Sequence, residues 1–238
     1  MYSYSHFRID DIEDSSTLRR GELCAYKKFG IPLTLNSANL AYFEALNLLQ
    51  TSKITFSKDL IEIFIEEMIN LHIGQGAEIY FRDHGDRIPT IEEYFRICAK
   101  KTGGLFRLFT RLLLKSTRKC FDLESRQFII GLAEELGKFY QIRDDYLNIF
   151  KGDASDLIEG KFTLPTIFAD IKTIKCRNET EIKEIMKKLN EIEAEQFCLQ
   201  TLKEMAEEME IAIFIIEKRV ECKNDLREII YSLLELEK

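Results

Sequence analysis

Chain punctuation is scarce: eleven glycines and three prolines serve 238 residues. A many-stranded β fold needs a turn roughly every 8–12 residues, so long helices are the better solution for this chain. Hydrophobic residues make up 45% of it, which supplies a sizeable core and excludes wholesale disorder. The length admits one large domain or two small ones at roughly 150 residues per domain. No internal repeat, low-complexity run or linker marks a boundary, so residues 1–238 are expected to form one all-α domain.

Apolar spacing supports this. Leu40, Phe43, Leu46 and Leu49 fit a helical stripe over Asn36 to Leu49, and Leu60, Ile63, Phe64, Met68, Leu71 and Ile79 fit a second over Asp59 to Ile79. Thr90 with Glu93 reads as a capping box opening a helix. Gly103-Gly104 interrupts the pattern, and a helix is expected from Leu105 to about Leu114. Asp122 to Phe150 reads as one long helix burying Phe128, Ile129, Leu132, Leu136, Phe139, Ile142, Tyr146 and Ile149. A polar segment, Lys151 to Lys161, breaks it, and Glu179 to Lys238 is amphipathic helix rich in opposite charges three to four apart.

With 34 basic and 41 acidic residues the formal charge is 34 − 41 = −7, the wrong sign for a general nucleic-acid binder. Six cysteines (Cys24, Cys98, Cys120, Cys176, Cys198, Cys222) lie far apart without a CxxC pair. They read as reduced, scattered core thiols of a cytoplasmic protein. Met1 to Asp14 is too polar for a signal peptide, and no stretch approaches 18 apolar residues.

Two acidic clusters carry the chemistry. In Asp10-Asp11-Ile12-Glu13-Asp14, a helix makes Asp10 and Asp14 i, i+4 neighbours, which repel unless a cation sits between them. Hard oxygen ligands at this spacing suit Mg²⁺, which also keeps waters and uses substrate phosphates; the bland alternative is a solvated acidic turn. In Gln141-Ile142-Arg143-Asp144-Asp145-Tyr146-Leu147-Asn148, the spacing puts Gln141, Asp144 and Asn148 on one face with Asp145 beside them. That face borders the apolar stripe, where an unpaired carboxylate is expensive. Cations recur at helix breaks: Arg19-Arg20 before Gly21, Lys101-Thr102 before Gly103-Gly104, and Lys161 after Gly160. Together these suit a diphosphate held by paired Mg²⁺ ions, with an apolar cavity sheltering the carbocation left when it departs.

In these segments the sequence resembles the trans-isoprenyl diphosphate synthases, and among them the eukaryotic geranylgeranyl diphosphate synthases. The resemblance runs from about Ile9 to Thr166. It includes Leu18-Arg19-Arg20-Gly21, Gly74-Gln75-Gly76, Ile79-Tyr80-Phe81-Arg82-Asp83, Lys101-Thr102-Gly103-Gly104-Leu105-Phe106, Gln141 to Tyr146 and Glu159-Gly160-Lys161-Phe162. It implies a bundle of long helices around a central cavity, the isoprenoid synthase fold, and head-to-tail transfer of an allylic group to isopentenyl diphosphate. It further implies that Asp10, Asp11, Asp14, Asp144 and Asp145 bind two or three Mg²⁺ ions. Arg19, Lys101, Thr102, Gln141, Lys151 and Lys161 would bind the allylic diphosphate, and Arg20 isopentenyl diphosphate. The family's homodimeric habit is expected too, and the apolar content of the helix from Leu60 to Ile79 permits a buried partner face.

Product length follows from the same resemblance. Of His6 and Ser5, four and five residues before Asp10, Ser5 is small enough to leave a tunnel open, and Tyr42, Phe43 and His72 resemble a deeper floor that favours geranylgeranyl over farnesyl diphosphate. Three positions depart from the pattern: Ser3 replaces a His, Arg8 an apolar residue and Glu78 an Asp; Asn148, at the third acidic position of the second motif, is also the geranylgeranyl-type pattern. The resemblance also implies N-terminal helices bearing a Gly-Lys-x-x-Arg element that binds isopentenyl diphosphate. No such element precedes Asp10, so a domain lacking those helices is expected. A non-catalytic or regulatory subunit, a farnesyl diphosphate synthase and a terpene cyclase of the same fold are the alternatives.

Overall fold

The computed structural model describes residues 2–19, 21–51, 57–84, 87–117, 119–172, 174–221 and 225–235, without the side chains of residues 2–7 and 57. Arg20 and Cys222 lie outside the described residues, as do the side chains of Ser3, Ser5 and His6. Helix predominates, as the scarcity of turn-formers requires. Two compact units are present, Met1–Phe64 and Ile65–Lys238.

The first unit holds α1 (Tyr2–Glu13), a two-stranded hairpin of β1 (Leu18–Arg19) and β2 (Glu22–Leu23), α2 (Ala25–Phe29) and α3 (Ile31–Thr51). The hairpin pairs Leu18 with Leu23 and Arg19 with Glu22, and α1 packs along α3. Helix α3 begins ahead of the expected Asn36, because Pro32 falls in its first turn, where its missing N–H removes no intrahelical bond. Burial here inverts the usual order. Asp10, Asp11 and Asp14 are buried while Leu40 and Phe43 are 55% and 69% exposed. The expected stripe of α3 is therefore not its buried face, which carries Thr34 and Ala38 instead.

Helix α4 (Ser57–His84) contains the boundary and continues into the second unit. There follow α5 (Ile91–Lys100), α6 (Thr102–Ser116), α7 (Leu123–Tyr146), a π turn (Leu147–Lys151), α8 (Ser155–Glu159), α9 (Leu164–Phe168), α10 (Glu179–Glu191), α11 (Ala194–Val220) and α12 (Leu226–Leu234). Helix α7 is central, flanked by α6 and α11. Its stripe is buried as the spacing predicts: Leu132, Phe139, Ile142 and Tyr146 enter one core with Leu202 and Met209, and Ile149 enters a second with Leu157 and Leu189.

Four expectations are corrected. Gly103-Gly104 does not interrupt a helix but lies in the first turn of α6. The reason is close approach: a Cβ on Gly137 of α7 would lie 2.6 Å from Gly103 Cα, and one on Gly74 of α4 would lie 2.8 Å from the Lys101 nitrogen. Helix α7 ends at Tyr146, and the chain widens into the π turn, which Asn148 ties forward by bonding Ser155 Oγ and the Asp156 N–H at 2.8 and 3.1 Å. The segment Lys151 to Lys161 is not all break, since it contains α8. Cys120 is exposed in the connection before α7, unlike the four buried free thiols Cys24, Cys98, Cys176 and Cys198.

The capping box of α5 forms as read: the Glu93 N–H donates to Thr90 Oγ1 at 3.1 Å and the Thr90 N–H to Glu93 Oε2 at 2.9 Å. Thr90→Ala should lower stability by about 1 kcal/mol, measurable by urea titration. Arg87 grips Glu93 with two 2.6 Å bonds. That pair, then the Thr90 N–H, pulls the carboxyl down to about 2. Because the folded value is depressed, the stabilisation is complete above the ordinary carboxylate range and is lost as pH falls toward 2. Glu93→Gln should therefore lower Tm at pH 7 and have little effect at pH 2.

A buried ion network ties the α5–α6 corner down. Glu67 of α4, 2% exposed, accepts from Arg107 at 2.9 Å and Arg111 at 2.5 Å. Arg107 also donates to Glu134 of α7 at 2.6 Å and to the Ala99 carbonyl of α5 at 2.8 Å. One guanidinium thus joins four helices beside the Lys101-Thr102 turn.

Candidate functional site

In the first unit, one turn of α1 buries Asp10, Asp11 and Asp14. The β1 strand returns Arg19 to them: Nε donates to Asp11 at 2.7 Å and Nη2 to Asp10 at 3.0 Å. Burial alone would pull the guanidinium pKa down, but its bond to Asp11 and the charges of Asp11 and Asp10 outweigh that and raise it. Tyr42 of α3 senses the same helix. Its phenol is pushed up to about 12 by burial first, then by Glu13 and Asp10. Of the other residues expected at a chain-length floor, Phe43 is exposed. His72, in the second unit, is also exposed, with Nδ1 2.8 Å from the Met68 carbonyl.

The second unit brings together residues from five helices, α4 to α8. Lys101 occupies the single non-helical step between α5 and α6, and its ammonium lies 2.5 Å from Glu78 of α4. Next to it, Thr102 Oγ1 donates to Gln141 Oε1 at 2.6 Å, and Gln141 Nε2 donates to Asp145 Oδ1 at 2.9 Å. Tyr94 of α5 donates to the other carboxylate oxygen of Asp145 at 2.6 Å. Burial pushes the Asp145 carboxyl up to about 7, against the bonds from Tyr94 and Gln141 and with the charges of Asp144 and Glu78.

This corrects the expected face. Gln141 pairs with Asp145, its i+4 neighbour, and Asp145 points into the core while Asp144 is exposed. Asp156 and Glu159 complete the cluster. The Lys161 ammonium lies 2.7 Å from Glu159 and 3.9 Å from Asp156. Asp156 is raised well above its ordinary range by burial first, then by the charge of Asp145, with Lys161 opposing. Lys151 lies elsewhere on the π turn, 3.1 Å from Glu195 and over the Tyr146 ring.

Sequence reasoning did not single out Asp156, Tyr94 or the carboxylate of Glu159. For Asp156 the signal was available: it is an acid five residues before Lys161, within reach across α8. For Tyr94, a buried aromatic on an amphipathic helix, nothing in the spacing distinguishes a hydroxyl with a carboxylate partner from ordinary core.

The donors fit a hard divalent cation. Asp10, Asp11 and Asp14 in one unit and Asp144 in the other offer only carboxylate oxygens, the ligand type Mg²⁺ takes. Among the described residues, no group of three or more His, Cys, Asp or Glu side chains is arranged to hold a metal ion by itself. Mg²⁺ sites that rely on one or two carboxylates plus substrate phosphates need none.

A family model described as polyprenyl synthetase matches residues 5–230. A geranylgeranyl pyrophosphate synthase of Emericella nidulans is 46% identical over 168 residues, which cover 68% of this chain and 40% of that protein. The geranylgeranyl pyrophosphate synthase ltmG of Epichloe festucae is 37% identical over 243 residues, covering 94% of this chain and 70% of that protein. The chain spans less than half the length of the Emericella relative and of a Metarhizium robertsii synthase, 40% and 48%. The crystal structure of a geranylgeranyl pyrophosphate synthetase from Pyrococcus horikoshii superposes on the whole chain and 76% of its own with a TM-score of 0.81 at 19% identity. That likeness shows a shared all-α fold. With the family model spanning nearly the whole sequence, the chain belongs to the polyprenyl synthetase family.

Proposed function

We propose that the protein is a prenyltransferase that joins isopentenyl diphosphate to an allylic diphosphate, farnesyl diphosphate, to make geranylgeranyl diphosphate. The observation that carries this is the turn at Lys101-Thr102, where an ammonium, a hydroxyl and the Gln141 amide cluster with Asp144, Asp145, Asp156 and Lys161. Two fungal relatives bearing the name geranylgeranyl pyrophosphate synthase support the product assignment.

The candidate cations are each held by carboxylates of their own unit: Arg19 by Asp10 and Asp11 in the first, Lys101 by Glu78 and Lys161 by Glu159 in the second. Such pairs keep buried charge neutral and aimed. A diphosphate gives the cations a second set of acceptors, and two or three Mg²⁺ ions give the carboxylates a second set of cations. In this proposal Asp10, Asp11 and Asp14 of the first unit, and Asp144 with Asp145 of the second, would hold Mg²⁺, which when bound would supply the positive charge that a departing diphosphate needs. Arg19, Lys101, Thr102, Gln141 and Lys161 orient it, with Lys151 at the margin. Arg20 is assigned to isopentenyl diphosphate. Tyr42, Phe43 and His72 are the proposed limit on chain length, with Tyr42→Ala combined with Phe43→Ala expected to lengthen the product on chromatographic sizing.

A homodimer belongs to the same proposal. Helix α4 leaves Ile65, Ile69 and Ile73 exposed at successive turns, an apolar stripe of the kind that a partner covers. Free thiols in four buried positions support a cytoplasmic location; among the described residues no helix is long and apolar enough to cross a membrane. The test is incubation with radiolabelled isopentenyl diphosphate, farnesyl diphosphate and Mg²⁺, with the product sized. A C20 diphosphate is expected; no prenyl product at saturating substrate would overturn the assignment for this chain.

A further inference from the structure

Tyr94 lies 4% exposed in the main core, on the opposite side of Asp145 from Gln141. Its ring needs only packing, yet its hydroxyl is spent on a carboxylate 51 residues away in sequence. Three bonds run in series from there: Tyr94 to Asp145, Gln141 to Asp145, and Thr102 to Gln141, at 2.6, 2.9 and 2.6 Å. The order of donors matters. A carboxylate can only accept, so Asp145 forces Gln141 to present its amide nitrogen, which leaves Oε1 toward Thr102. One Gln141 N–H is then spent on Asp145, and its Oε1 accepts from Thr102, the residue next to Lys101.

We propose that Tyr94 is a positioning residue for the diphosphate-binding turn, fixing Asp145 so that Asp145 in turn sets the orientation of Gln141 and Thr102. This rests on the prenyltransferase reading above. Without the hydroxyl, Asp145 keeps one bond in place of two and can turn about its side-chain torsion, carrying the Gln141 amide with it. The aromatic packing is untouched, because phenylalanine fills the same space.

The test is Tyr94→Phe, read in two ways. In steady-state kinetics the KM for farnesyl diphosphate should rise roughly three- to tenfold, the worth of one hydrogen bond. The KM for isopentenyl diphosphate and kcat should stay within about twofold, since the proposed function assigns Gln141 and Thr102 to the allylic diphosphate. In protein labelled with ¹⁵N-glutamine, the Gln141 side-chain amide resonance should shift and exchange faster with water. A lowered Tm with both Michaelis constants and the amide signal unchanged would overturn the proposal, as would parallel rises in both constants. If the wild-type protein neither binds nor turns over farnesyl diphosphate, the prenyltransferase reading falls and the role toward diphosphate falls with it. The amide signal still decides whether Tyr94 positions Gln141, and an unmoved resonance in Tyr94→Phe would refute that.

Discussion

Glu67→Ala is expected to destabilise the fold by about 3 kcal/mol, at the lower end of the range for breaking a buried ion pair. Glu67 is 2% exposed and holds both Arg107 and Arg111. Its removal leaves two cations with one acid fewer in a region largely closed to water. The effect stops short of the upper end because Arg107 keeps Glu134 and the Ala99 carbonyl, and Arg111 keeps Glu66. Glu66→Ala is the control: its side chain is 60% exposed, and exposed pairs contribute about 0–1 kcal/mol. Urea midpoints for both variants check the contrast, and equal shifts would mean the Glu67 pairs do not hold the α5–α6 corner.

That network shows which features local sequence can carry. Helices α5 and α7 were legible because their determinants are local: Thr90 with Glu93 three residues on, and an apolar stripe of constant period. The polar segments of the site were legible as short strings, since Lys101-Thr102 and Gln141 to Asp145 each sit together in sequence. Contacts across the chain were not. Gly103-Gly104 reads as a break, and only the approach of Gly137 and Gly74 shows that the glycines instead make room for tight helix packing. Arg107 reads as one more charged residue on an amphipathic helix, until Glu67 and Glu134 arrive from forty and twenty-seven residues away. Likewise, two adjacent aspartates look equivalent, although a helix turns neighbours about 100° apart and sends one inward.

This inequivalence sets the largest functional effect. Asp144→Ala is expected to lower turnover at least about a hundredfold with little change in Tm. Losing outer-sphere partners of a metal already costs 10–100-fold, and the ligand role proposed for Asp144 would be worth more; an exposed residue outside the core moves stability by less than about 0.5 kcal/mol. Asp145→Ala should differ in kind. It takes the carboxylate from the buried Tyr94 hydroxyl, which keeps only the Cys98 thiol, and from one N–H of the half-buried Gln141, a loss of about 1–3 kcal/mol. Part of that is offset because a carboxylate that burial has pushed up to about 7 is itself costly to keep charged. Turnover in Asp145→Ala should fall as well, because Asp145 stands with the proposed metal-holding carboxylates, and the KM for farnesyl diphosphate should rise through Gln141 and Thr102, a rise that Asp144→Ala need not share. Thermal melts run beside the radiolabel assay separate the two. If Asp144→Ala retained wild-type turnover, or lost as much stability as Asp145→Ala, the outward and inward roles assigned to this pair would be wrong.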